Sequence, residues 1–364
     1  MTTTSSRIFN FSAGPAVMPE AVLERIREDV WNIDDSGIGV LEHSHRGPVI
    51  DRVFDEAIER CRSLARLGDD HEVLFLPGGA SMQFGMIPMS YLPNDATADY
   101  PDTGTWTSKA IKEAKKFGSV NVAFDGSACG YDHCPKADEL SLTPGAAYLH
   151  YCSNNTIYGT RYAAPPVTNA PLVCDASSDM FARPWPFADH AIVYAGAQKN
   201  LGPSGLALII IRKDMLEKGC RETIDLLDYR KQADQGSRLN TPPVFGVYCM
   251  GLVFEWIIEQ GGLIGIAEKN TAKSKVIYDA IDGSGGFYRG HAQNDSRSEM
   301  NVTFRLPNED LEKTFVSEAK SHDMDGLKGH RSVGGIRASI YNAFPIEGCR
   351  SLAGFMADFA TKNG

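Results

Sequence analysis

Between residues 72 and 211 the chain keeps returning to short apolar runs, and that recurrence limits its fold more than any other feature. Residues 72–76, 96–100, 119–124, 146–151, 172–175, 191–195 and 206–211 are each apolar or nearly so and are bounded by Gly, Pro, Asp or Ser. Runs of this length and texture predict strands buried on both faces. Helical spacing fills two of the gaps, at 82–92 and 107–117, with 77–81 a glycine-rich turn. Strands alternating with helices predict an α/β fold around a mainly parallel sheet, with ligands at the carboxyl ends of its strands.

The flanks extend this plan. Apolar residues at helical spacing predict helices over 19–31 and 49–67, the first opening on Pro19, and over 244–260 and 265–281. The texture then changes. Residues 298–306 alternate like a half-exposed strand, 311–322 reads as a helix, 336–341 as a strand and 348–361 as a closing helix. The expected division is a large α/β domain over 17–265 and a smaller α+β domain from 1–16 and 266–364. There is no internal repeat and no low-complexity linker.

A chain of 364 residues can bury two cores. Its net charge of −10 excludes sequence-independent nucleic-acid binding, which needs a basic surface, but a local cationic cluster can still draw a small anion. Residues 1–11 lack the apolar core of a signal peptide, and 244–258, the most apolar long stretch, is broken by Glu255, so no membrane partner is expected. Eight scattered cysteines without an export signal predict reduced thiols and a cytoplasmic location. Cys129, His133 and Cys134 have no second pair at zinc-site spacing, and His43-x-His45 has no nearby carboxylate set, so no metal is expected.

Chemistry-bearing residues fall in loops that follow strands. Lys199 lies between the runs 191–195 and 206–211. A lysine held there is desolvated, which frees a neutral amine for a Schiff base; alternatively it is an exposed turn lysine. Gly78-Gly79-Ala80-Ser81 follows a strand and opens a helix, which suits a phosphate as well as an ordinary turn. Trp106 can stack on a flat ring or fill a core. Asp175 ends a strand, where it can hold a pyridinium nitrogen or cap a helix. Thr156 is another loop hydroxyl after a strand. A phosphate cup, an aromatic plate, an acid and an amine are together what pyridoxal phosphate needs, and neither the GxGxxG nor the P-loop lysine pattern is present. His45-Arg46, His330-Arg331 and Arg337 form a second set at the chain's two ends. Arg337, inside a strand, needs an anion, either a substrate or an acidic side chain.

Longer runs carry a resemblance. Phe9-Asn-Phe-Ser-Ala-Gly-Pro15, Ser44-His-Arg-Gly47, Tyr194-Ala-Gly-Ala-Gln-Lys-Asn200, Asn240-Thr-Pro-Pro243, Leu327-Lys-Gly-His-Arg331 and Arg337-Ala-Ser-Ile-Tyr-Asn-Ala343 span nearly the whole chain. The sequence resembles the phosphoserine aminotransferases, class V aminotransferases of the fold-type I pyridoxal-phosphate enzymes. The resemblance implies that Lys199 binds the cofactor covalently and moves the proton. It implies that Ala80 and Ser81 hold the cofactor phosphate, with Asn240 and Thr241 reaching it from the other subunit of a homodimer. Trp106 would stack on the ring, Asp175 would hold its nitrogen, and Thr156 and Gln198 its oxygen and phosphate sides. Arg337 would bind the α-carboxylate, while His45, Arg46, His330 and Arg331 would take the side-chain phosphate or carboxylate, with Ser12 near the substrate. The implied substrates are glutamate, phosphoserine and their 2-oxo acids, and also the phosphohydroxythreonine pair of vitamin B6 synthesis. Some relatives place an arginine in the glycine-rich turn; here Ala80-Ser81 supplies no cation. The competing expectations are another class V activity, of alanine–glyoxylate or cysteine-desulfurase type, and a cofactor-binding regulator.

Overall fold

The computed structural model describes residues 7–364. Residues 1–6, part of the stretch read for a signal peptide and of the N-terminal segment assigned to the smaller domain, lie outside the described residues. The main sheet has seven strands: β1 (His71–Pro77), β2 (Thr97–Asp102), β3 (Ser119–Asp125), β4 (Leu149–Cys152), β5 (Leu172–Asp175), β6 (Ile192–Gly196) and β7 (Leu206–Arg212). Their spatial order is β1-β7-β6-β5-β4-β2-β3. Every pair is parallel except those made by β7. The chain between β6 and β7 is too short for the crossover a parallel neighbour requires, so β7 returns antiparallel.

Period-two alternation then decides which layer each side chain enters. Leu206, Leu208 and Ile210 of β7 face one core, and Ala207, Ile209 and Ile211 face the other. The longer helices among the described residues are α1 (Glu20–Asp29), α2 (Pro48–Ala65), α3 (Gly79–Tyr91), α4 (Thr105–Ala114), α5 (Val244–Glu259), α6 (Gly262–Asp282), α7 (Glu309–Ser321) and α8 (Ile346–Asn363), with shorter helices and turns between them. Val53 and Phe54 of α2 with Val247 and Phe254 of α5 fill the first core; Phe84 and Ile87 of α3 with Ala110 and Ile111 of α4 fill the second. Both faces of the sheet are therefore covered, which is why its inner strands β4 to β7 are buried almost throughout, whereas the edge strand β3 is not.

Regular alternation stops after β3. The connections from β4 to β6 carry no α-helix and run as loops and turns at the carboxyl edge. Side-chain amides replace the missing helical bonds: Asn154 Nδ2 donates to Ser178 Oγ at 2.8 Å and to Asn301 Oδ1 at 2.9 Å.

A second sheet of three antiparallel strands, β8 (Arg289–Gly290), β9 (Asn301–Arg305) and β10 (Ile336–Ser339), packs with α7 and α8 around a separate core. Phe9–Asn10 joins this lobe by pairing in parallel with Met324–Asp325. Helix α6 serves both lobes, with Ile266 in the first core and Ile277 and Ile281 in the third. Among the described residues no single helix is long and apolar enough to cross a membrane; α5 and α6 meet at 83°.

Candidate active site

The carboxyl ends of the strands are level. Cys152 stands opposite Asp175, Asp175 opposite Tyr194, Gly196 opposite Ala207, and Leu206 opposite Pro77. The loops leaving these ends therefore converge, and Lys199 lies in the loop after β6. Its backbone is held on both sides. Ala16 N–H donates to Gln198 O at 2.9 Å, and Asn342 N–H donates to Asn200 Oδ1 at 3.0 Å. These bonds fix the loop between the N-terminal segment and the small lobe, and the Lys199 side chain is part-buried there. Its Nζ sits 2.5 Å from Thr156 Oγ1 and 5.1 Å from the centroid of the Trp106 ring. Burial pushes the amine below its ordinary value; the Asp175 carboxylate opposes this and the Arg337 guanidinium adds to it. The exposed-turn alternative is thereby excluded.

Asp175 is 4% exposed. Its Oδ1 accepts from Ser177 N at 3.0 Å and from Ser177 Oγ at 2.6 Å. Burial raises the carboxyl pKa against the lowering pull of Lys199 and Ser177. Such a carboxylate lacks a full counter-charge and suits a cationic N–H. Ser177 was not singled out from the sequence, although Asp-Ala-Ser is the signal for this turn; its Oγ also accepts from Gly196 N at 3.0 Å, tying β5 to β6.

Trp106 is set by the start of α4. Thr107 Oγ1 accepts from the amides of Thr103 and Gly104 at 3.0 and 3.1 Å and donates to Asp102 Oδ1 at 2.8 Å. The indole Nε1 is buried without a hydrogen-bond partner among the described residues. Thr156 is 2% exposed, and its carbonyl accepts from Arg337 Nη1 at 3.4 Å.

The glycine-rich turn differs from its reading as a loop. Helix α3 already begins at Gly79, because Gly78 and Gly79 adopt φ of +91° and +62°, a left-handed entry that only glycine makes without strain. Ala80 and Ser81 thus lie in the first helical turn, where amides have no intrahelical acceptor. A Cβ at Gly196 would come within 2.9 Å of Gln198 Oε1 and 3.4 Å of Ala80 N. The missing Cβ leaves the room in which the Gln198 side chain and the Ala80 amide converge. First-turn amides, the Trp106 ring, the buried Asp175 and the desolvated Lys199 fit pyridoxal phosphate in charge and in chemistry.

Arg337 lies on β10, and its Nε is buried without a partner; among the described residues no carboxylate lies within 4.0 Å of its guanidinium. The acidic-side-chain alternative is therefore excluded, and the cation is left for a ligand. His330 Nδ1 bonds Ser332 Oγ at 2.7 Å. Burial and the charges of Arg337, Arg331 and Lys109 push His330 below its usual value. Ser12 is backed by Gly326, where a Cβ would meet Ser12 Oγ at 2.6 Å. Two residues on, Gly14 lies against the Lys199 and Gln198 side chains.

Four residues stand apart. No hydrogen bond or ion pair among the described residues links His45, Arg46, Asn240 or Thr241 to the Lys199 group. His45 and Arg46 precede α2, while Asn240 and Thr241 are exposed ahead of α5. An ion pair between Arg238 and Asp51 ties the stretch before Asn240 to the first turn of α2. Elsewhere, Cys129, Asp132 and His133 bring possible ligand atoms within 4.8 Å of one another. His133 is already paired there with Asp132 at 2.7 Å and Glu139 at 3.1 Å, and Cys134 is outside the group. Cys349, the late cysteine a desulfurase would need, is fully buried.

The family model for aminotransferase class-V matches residues 8–352. The phosphoserine aminotransferase of Herpetosiphon aurantiacus is 51% identical over 358 residues, 98% of this chain and 99% of that protein. The structure of phosphoserine aminotransferase from Bacillus circulans subsp. alkalophilus superposes with a TM-score of 0.97 at 47% identity, covering 99% of this chain and all of the other. The pyridoxal-phosphate-bound phosphoserine aminotransferase of Trichomonas vaginalis superposes with a TM-score of 0.92 at 37% identity, over 96% of this chain and all of the other.

Proposed function

The chain belongs to the class V aminotransferases, and from that premise we propose that it is a pyridoxal-phosphate-dependent phosphoserine transaminase of serine biosynthesis. It passes the amino group between glutamate and 3-phosphohydroxypyruvate, yielding 2-oxoglutarate and O-phosphoserine, and takes the homologous phosphohydroxythreonine pair as a further substrate. The observation that carries this reading is the pairing of a desolvated Lys199 with Arg337, a half-buried cation that has no acidic partner among the described residues. An amine and an unneutralised guanidinium that both bond Thr156, at its hydroxyl and its carbonyl, suit an α-amino acid, whose carboxylate pairs with one while its Cα–H faces the other.

When bound, pyridoxal phosphate supplies an electrophilic carbon for the amine and an electron sink for the bond broken at Cα. The protein does the rest. The first-turn amides of Ala80 and Ser81 hold the cofactor phosphate, and Gln198 fills the space beside Gly196. Trp106 covers the ring. Asp175, anchored by Ser177, would hold the ring nitrogen and favour its protonated form. Thr156 Oγ1 orients Lys199 Nζ, and burial favours the neutral amine, which could then accept the proton from the substrate's Cα. Arg337 sets the α-carboxylate, Ser12 borders the substrate, and His330 and Arg331 take the side-chain phosphate.

We further infer a cytoplasmic homodimer. His45, Arg46, Asn240 and Thr241 form no described hydrogen bond or ion pair with their own Lys199 group, which supports a second copy as the site of their assigned contacts. Trp31 and Leu41, 86% and 59% exposed, offer apolar surface for a partner. Purified protein supplied with phosphoserine and 2-oxoglutarate is expected to form glutamate with the parallel-line kinetics of a ping-pong sequence. Turnover of alanine with glyoxylate, and none of phosphoserine, would replace this reading with the other class V activity.

A further inference from the structure

Helix α4 carries a cation that none of the assignments above uses. Lys109 stands one turn beyond Trp106, with Nζ 4.6 Å from the centroid of the indole ring. Lys199 Nζ lies 5.1 Å from the same centroid, so the two lysines flank or share the plate on which the cofactor rests. Lys109 forms no hydrogen bond or ion pair among the described residues, whereas Lys116, just past the same helix, is held by Glu113 at 2.5 Å. Its neighbourhood is cationic. Apart from burial, the influences that lower the His330 pKa are Arg337, Arg331 and Lys109, and no carboxylate offsets them. Three cations gathered around His330 without a counter-charge repel one another, and a dianion among them relieves that cost. The glycine-rich turn across the site offers only backbone amides and Ser81, so no cation comes from that side.

We propose that Lys109 is a further substrate-binding residue, which receives the side-chain phosphate of phosphoserine together with His330 and Arg331. The proposal rests on the reading of the site as a phosphoserine transaminase and adds a specificity determinant to it. Lys109 is a flexible point charge, so it can follow a phosphate through the half-reaction while Arg337 fixes the other end of the substrate. A dianion gains more from it than the monoanionic side-chain carboxylate of glutamate.

The test compares wild type, Lys109→Ala and Lys109→Arg holoenzymes in both half-reactions, with inorganic phosphate as a competing anion. Lys109→Ala is expected to raise KM for phosphoserine about tenfold, the size of one charge-assisted hydrogen bond. The inhibition constant of phosphate should weaken in step, with KM for glutamate and kcat changing less than about twofold. Lys109→Arg should restore most of the loss. Unchanged KM and unchanged phosphate inhibition in Lys109→Ala would overturn the proposal. So would equal losses for both amino donors accompanied by a shift in cofactor absorbance, because Lys109 would then act by holding Trp106. If wild type itself fails to turn over phosphoserine, the reading of the site falls and the proposal with it, an outcome seen before any variant is compared.

Discussion

Replacing Arg337 with Met should push stability and function in opposite directions. In the free enzyme the guanidinium is half-buried, its Nε has no partner, and its only described contact is Thr156 O at 3.4 Å. Burial already presses its pKa down, with only Tyr341 opposing. An unsatisfied buried donor costs about 1–3 kcal/mol, and replacing buried charges by apolar residues of similar volume often gains stability. Part of that gain is lost with the weak Thr156 contact, leaving a net stabilisation of about 1 kcal/mol. For a chain of 364 residues that raises Tm by roughly 1–2 °C. Substrate binding moves the other way. Truncating one partner of a hydrogen-bonded charge pair costs about 2–5 kcal/mol, so kcat/KM should fall by roughly 30- to 5,000-fold for glutamate and phosphoserine alike. Differential scanning calorimetry of substrate-free holoenzyme and steady-state kinetics on one preparation read both signs. A fall in Tm would show that Arg337 serves the fold, and the inference from its missing acidic partner would fail.

Other parts of the structure give further outcomes. Gly196→Ala places a methyl group 2.9 Å from Gln198 Oε1, so cofactor affinity measured by absorbance titration should drop roughly tenfold, about 1–2 kcal/mol of overpacking, with the fold intact; unchanged affinity would mean that Gln198 does not border the phosphate. His150 bonds Tyr194 Oη at 2.8 Å and burial lowers its pKa from 6.5 to about 3. Between those values the unfolded chain binds the extra proton, so stability rises with pH, and roughly 5 kcal/mol is lost as pH falls through this window. His190, lowered by burial to about 4, adds roughly 3 kcal/mol in the same direction. Urea unfolding from pH 7 to 4 should show this slope, and His150→Asn should flatten it; an equal slope in the variant would assign the acid sensitivity elsewhere.

Strands were the most legible part of the chain. Leu172–Asp175 is a strand over the same four residues that the apolar run marks, because a strand buried on both faces leaves no polar position to blur its limits. The start of α3 was less legible. Two glycines read as a loop, yet their freedom to take positive φ lets the helix begin three residues before Met82. Strand direction was not written locally either: β7 runs antiparallel because of the short return from β6, not because of its composition. In the site, Lys199, Asp175, Thr156 and Trp106 each stood out as a polar or aromatic group just after a strand, and the level strand ends bring them together. Ser177 and Lys109 did not stand out. Their partners, Gly196 and His330, are distant in sequence and become neighbours only once strand order and lobe packing are set. His150 with Tyr194 is the same case, a pair made across strands that no spacing announces. His45, Arg46, Asn240 and Thr241 are outside the single-chain site; charge type alone marked His45 and Arg46, and only family resemblance pointed to Asn240 and Thr241.

The central claim is that Lys199, and no other lysine, carries the cofactor. Holoenzyme reduced with borohydride and digested should yield one lysine peptide bearing pyridoxyl phosphate, the peptide containing Gln198-Lys199-Asn200, and Lys199→Ala should yield none. A label on Lys109, on the buried Lys273 or on any other lysine, or a Lys199→Ala variant that still traps the cofactor, would contradict the account.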